Sequence, residues 1–105
     1  MPHSKVVMTK TMRGQHSEFI AAAWLITQNY LVYFKTQDCD PIDLIAVHRN
    51  NGKVIKIDVK TVSIRRSGPK KGCRINRVTN MHQKKIGVKL LYVYKDGRCD
   101  WHGKN

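Results

Sequence analysis

Acidic side chains are scarce in this 105-residue chain: seven Asp and Glu stand against 20 Lys and Arg, for a formal net charge of +13 at pH 7. A folded domain so poor in carboxylates is expected to meet a polyanion rather than a cationic partner. Cysteines are also few, and Cys39, Cys73 and Cys99 are odd in number, far apart and without a C-x-x-C pair. That pattern excludes a disulfide framework and the usual zinc spacings, and fits reduced thiols in a cytosolic-type compartment. Long apolar runs are missing as well. The most apolar stretch, residues 19–34, is broken by Gln28 and Asn29, and the opening "MPHSKVVMTK" carries no signal-peptide apolar region. No membrane span is expected, and the chain reads as soluble and not secreted, cytoplasmic or nucleoid-associated.

What is present is a foldable composition, 41% hydrophobic, over a length that suits one domain spanning residues 1–105. The charge is unevenly spread. From residue 59 to residue 95 there is no acid, while Lys60, Arg65, Arg66, Lys70, Lys71, Arg74, Arg77, Lys84, Lys85, Lys89 and Lys95 are all basic. Nucleic acid is the first expectation for such a block, ahead of an anionic membrane surface or a ribosomal-type structural role.

Along the chain, three consecutive alanines and a recurrence of Phe19, Ile20, Ala23, Trp24, Ile26 and Thr27 predict a helix over 12–29. "YLVYFKT" then predicts a strand over 31–35, and "IDLIAV" and "VIKIDV" predict strands over 42–47 and 54–59. Between the last two, Asn51-Gly52 is a hairpin signal, so they should pair antiparallel. Residues 63–77, with two glycines, a proline and six basic residues, read as a flexible basic loop. "TNMHQKKIG" follows as a short helix capped by Thr79 or Asn80 and stopped by Gly87. "VKLLYVYK" is a strand, and Asp96-Gly97 turns the chain into a last short strand.

The acids that remain sit in a telling place. A two-residue turn at Asn51-Gly52 would set Asp43 opposite Lys60 and Ile45 opposite Asp58. Asp43, Asp58 and Lys60 would then share one sheet face, the two carboxylates as diagonal neighbours about 7–8 Å apart at Cα. A four-residue loop keeps that parity, whereas a three-residue loop sends Asp43 to the opposite face. Exposed strand charges are the plain alternative, and for Lys60 an ion pair with Asp43 across the hairpin.

Pro41-Ile42-Asp43, the strand-turn-strand spacer and Asp58-Val59-Lys60 together resemble the PD-(D/E)-x-K, restriction-endonuclease-like nuclease superfamily. So does "RGQHSE" on the first helix, which matches a G-x-x-x-E pattern ending at Glu18. The resemblance spans residues 13–94. It implies an α/β fold with a restriction-endonuclease-like core: helix, three-strand antiparallel meander, helix and strand around a mixed central sheet. It also implies a divalent-metal-dependent DNA endonuclease. Asp43 and Asp58, with the Val59 carbonyl as a third oxygen, suit Mg²⁺, with Mn²⁺ able to substitute, and Glu18 would support the ion directly or through water. Lys60 would orient or deprotonate the attacking water, or stabilise charge in the transition state.

Arg65, Arg66, Lys70, Lys71, Arg74 and Arg77 follow the D-x-K directly, and Lys84 and Lys85 extend them on the second helix, so all are expected to meet phosphates. Gln83 is expected to approach the site from that helix. Within the resemblance, Holliday-junction resolvases share the basic helix with its G-x-x-x-E, and group I intron homing endonucleases share the D-x-K-T seen here as "DVKT". The small size favours branched DNA read by shape over a long specific site. Sequence-directed double-strand cutting and a non-catalytic binding module are the alternatives. Cutting two strands calls for a homodimer, with Trp24, Trp101 and "LLYVY" as candidates for its apolar surface.

Overall fold

The first helix, α1 (Lys10–Thr27), begins where Thr9 caps it, its hydroxyl oxygen accepting the Met12 N–H at 3.2 Å. It ends at Asn29, which takes a left-handed φ of 72°. Glycine adopts that conformation at lower cost. Asn29→Gly is therefore expected to stabilise the protein by about 0.5–1 kcal/mol in urea unfolding. The computed structural model describes residues 7–37, 42–62, 68–69, 71–72, 74 and 81–103.

The face that α1 buries differs from the apolar stripe expected. Ser17, Ala21, Ala22 and Leu25 point inward, while Phe19 and Ile26 are 63% and 62% exposed. Small side chains at the contact let the helix lie close to the sheet, and of the expected stripe only Ile20 and Trp24 pack against the core. Phe19 instead meets Phe34 at the edge, with ring centroids 5.1 Å apart.

The strands are β1 (Tyr30–Phe34), β2 (Leu44–His48), β3 (Val54–Thr61), β4 (Val88–Val93) and β5 (Cys99–Trp101), with α2 (Met81–Ile86) between β3 and β4. They form one sheet in the order β1-β2-β3-β4-β5, antiparallel except for the parallel pair β3–β4. The expected helix, meander, helix and strand are all present, and β5 is the short final strand. Gly87, at φ 75°, ends α2 where the sequence placed its stop.

The hairpin register is corrected by two residues. Leu44 faces Ile57 and Ile45 faces Lys56, rather than Ile45 facing Asp58. The loop is four residues, 49–52, because the His48 N–H bonds Lys53 O at 2.8 Å and the Gly52 N–H returns to His48 O at 2.9 Å. Gly52 supplies the left-handed φ of 70° that closes it, and Asn51 Oδ1 accepts the Lys53 N–H. A slip of two keeps every side chain on its expected face.

Alternation then separates two surfaces. Leu44, Ala46, Ile55, Ile57, Leu91 and Val93 form the core with Ala21, Ala22 and Leu25 of α1. Ser17 and Thr61 join their hydroxyls there at 2.6 Å. The other surface carries Lys56, Asp58 and Lys60, and α2 reaches it: Lys56 Nζ donates to Ile86 O at 2.9 Å. "LLYVY" is corrected as a dimer surface, since Leu90, Leu91, Tyr92 and Val93 are buried inside the sheet. Trp24 and Trp101 are half-buried against each other, 5.9 Å apart edge to face.

Candidate active site

Asp43 stands one residue before β2, its main-chain N–H bonded to Ile57 O at 2.8 Å, which draws it beside the middle of β3. Its carboxylate is held on both oxygens. Oδ2 accepts the Val59 N–H at 2.8 Å, and Oδ1 accepts Lys35 Nζ at 3.0 Å. Asp58, only 5% exposed, is the residue facing Asp43 when the β2–β3 register is continued by one position beyond Leu44 and Ile57. Its Oδ2 accepts Gln83 Nε2 at 2.7 Å, with Lys60 Nζ 3.4 Å away at the wetter edge.

Two carboxyl groups so close cannot both be charged at low cost. Burial, and then the Asp43 carboxyl, push the Asp58 pKa above its ordinary value of 3.8, against the opposing pull of Gln83 and Lys60. Between 3.8 and that raised value the folded protein keeps a proton the unfolded chain has released. Asp58 therefore contributes stability in full below pH 3.8, and the contribution is lost as pH rises through the folded pKa. Thermal melts should show Asp58→Asn gaining on the wild type as pH rises from 3.8 to 7, with the excess flat below 3.8.

The pair fits a hard divalent cation. Its donors are carboxylate oxygens, with no His or Cys at hand, and Mg²⁺ is commonly held by one or two carboxylates while retaining waters. A cation between Asp43 and Asp58 would also relieve their repulsion. Among the described residues no three His, Cys, Asp or Glu side chains form a cluster, so Glu18 is not gathered with the pair. It lines a neighbouring cleft with Gln15, Phe19, Phe34 and Lys35, and Lys35 also lines the cleft beside Asp43.

Lys60 thus keeps its expected face but pairs with Asp58 on its own strand rather than with Asp43 across the hairpin. Gln83 arrives as expected. Lys35 is the residue sequence reasoning missed. Phe34 faces Leu44, so Lys35 and Asp43 are the next positions outward on their two strands, opposite charges beside one connection.

Of the basic residues, Lys71, Lys84 and Lys85 are exposed. Arg74 is engaged internally: its guanidinium stacks 4.2 Å over Tyr92 and bonds Tyr94 Oη at 2.9 Å and Asp100 Oδ2 at 3.0 Å. Arg65, Arg66, Lys70 and Arg77, like Pro41, lie outside the described residues, and the basic loop is described only at 68–69, 71–72 and 74. No helix among the described residues is long and apolar enough to cross a membrane.

The chain is thus a mixed α/β protein in which a five-stranded sheet presents a paired-aspartate site on the face away from its long helix. That fold is similar to the solved structure of a bacterial homing endonuclease, I-Ssp6803I, with a TM-score of 0.59 at 15% identity. The match covers 86% of this chain and 61% of that one, so the chain spans less than two thirds of the length of that protein. Neither a protein-family model nor a curated protein matches the sequence.

Proposed function

We propose that the protein is a divalent-metal-dependent DNA endonuclease with a restriction-endonuclease-like core, acting on phosphodiester bonds at the Asp43–Asp58 site. The observation that carries this reading is the clamped aspartate pair with Lys60 at its open edge, on a chain of net charge +13. The fold likeness to a homing endonuclease supports it.

In this reading Asp43, Asp58 and the Val59 carbonyl would hold Mg²⁺ or Mn²⁺, while Glu18 stays in its own cleft. When bound, such an ion supplies charge neutralisation at the phosphate and acidifies water. The residues of the chain do the rest. Lys35 and the Val59 N–H fix the Asp43 carboxylate, and Gln83 fixes Asp58. Lys60 sets its ammonium beside the position where negative charge develops. Lys71, Lys84 and Lys85, with Arg65, Arg66, Lys70 and Arg77, bind the DNA backbone, and Arg74 anchors its segment to β4 and β5.

The substrate proposed is branched DNA, recognised by shape through a small basic surface, and cut by a homodimer that brings two sites together. Leu31, Tyr33 and Ile45, exposed on the same face as Asp58, supply an apolar surface for that contact. A second reading, cleavage of linear duplex, is favoured by the homing endonuclease likeness. Incubating the wild type with labelled four-way junction and matched duplex, in Mg²⁺ and in EDTA, separates them. Cutting of the junction alone is the expected result, and duplex cutting moves the assignment to the second reading. Binding of both without cutting in Mg²⁺ or Mn²⁺ leaves a nucleic-acid-binding module.

A further inference from the structure

At the end of the sheet away from the acids lies a cavity of about 490 Å³, bounded by the start of β3, the start of β4 and the end of β5. Tyr30, Ile55 and Trp101 line it from the helix face of the sheet, and Val88 and Leu90, whose side chains alternate to the other face, bound it together with His102. Lys53 and Lys89 stand at the rim, both exposed, and no carboxylate contributes to the lining. Flat aromatic surfaces beside two cations suit a planar group carrying an anion.

The walls are held in place from behind. Trp101 is braced edge-on by Trp24, and Tyr30 meets His48 edge-on with centroids 5.1 Å apart. His102 is fixed twice, its N–H on Leu90 O at 3.0 Å and its Nδ1 against Tyr92 Oη at 3.0 Å. Side chains fixed in this way lose little freedom when a ligand stacks on them. The volume lies within the range of sites that enclose small ligands.

We propose that this cavity is a nucleotide-binding site, taking a nucleobase against Tyr30 and Trp101 with its phosphate on Lys53 and Lys89. The site is separate from the aspartates. Lys53 precedes Asp58 by five residues, an odd number, so the two side chains lie on opposite faces of the sheet as well as at different levels of β3. A free nucleotide and an unpaired nucleotide within a strand offer the same chemistry.

Trp101 lines the cavity and packs edge to face on Trp24, the chain's other tryptophan, so intrinsic fluorescence reports occupancy. Titrations in EDTA with deoxyadenosine monophosphate should quench it saturably, with inorganic phosphate at least about tenfold weaker. The double variant Lys53→Ala/Lys89→Ala should weaken nucleotide binding about tenfold, and Lys53→Arg/Lys89→Arg should retain it. Competition by a single strand but not by its perfect duplex assigns the site to unpaired DNA, and no competition by either assigns it to the free nucleotide. Equal affinity for phosphate and nucleotide, an unaltered double alanine variant, or no saturable quench overturns the proposal. Because no metal or cleavage enters the measurement, failure of the endonuclease reading would leave this result intact.

Discussion

Replacing Asp58 with alanine is expected to slow single-turnover DNA cleavage in Mg²⁺ by at least about 10³-fold, with DNA bound as tightly as by the wild type or tighter. The rate falls because a divalent ion would lose one of its two carboxylates, and several kcal/mol of charge stabilisation at the phosphate go with it. Binding is retained because the deletion removes a negative charge from a face that meets a polyanion. Gln83 complicates the alanine variant, since its buried amide loses an acceptor. Asp58→Asn keeps that acceptor and removes only the charge, so it should match the alanine variant in rate while melting higher at pH 7. Cleavage by saturating enzyme and fluorescence anisotropy on the same labelled DNA give the two quantities. A rate within tenfold of the wild type in both variants would remove Asp58 from the chemistry.

The sheet-forming pattern was legible because β-branched and aromatic runs with turn residues between them report a local property. The two-residue error in the hairpin shows where local reading stops. Asn51-Gly52 is compatible both with a tight turn and with the end of a four-residue loop, and the choice depends on whether Asn51 bonds the Lys53 N–H. That error did not move Asp43 and Asp58 to different faces, because side-chain direction in a strand depends only on parity. It did hide how close they come. The helix face was misread for a different reason: Phe19 and Ile26 are the bulkier apolar residues, yet the sheet accepts Ala21 and Ala22, whose small size lets the helix approach. Lys35 escaped notice because its role comes from the β1–β2 pairing, which no turn signal announced.

Lys60→Met is expected to lower the cleavage rate by about 10²–10³-fold without changing the melting temperature appreciably. Stability is spared because Lys60 is 39% exposed and its 3.4 Å pair with Asp58 is screened by water. Lys35 offers the contrast. It also pairs with an aspartate, at 3.0 Å and with 23% exposure, but its partner is Asp43, whose other oxygen is held by the Val59 N–H. Acting only through the orientation of Asp43, it should cost about tenfold when replaced by Met. Lys60→Arg separates two roles for the ammonium. Arginine supplies a permanent positive charge and cannot accept a proton from water. The ion pair with Asp58 presents Lys60 as a charge, so the arginine variant should recover to within about tenfold of the wild type. If it stays as slow as the methionine variant while binding DNA normally, Lys60 takes the proton from the attacking water. The rate of Lys60→Met would then rise with added small amines, whereas a purely electrostatic role predicts no such rescue.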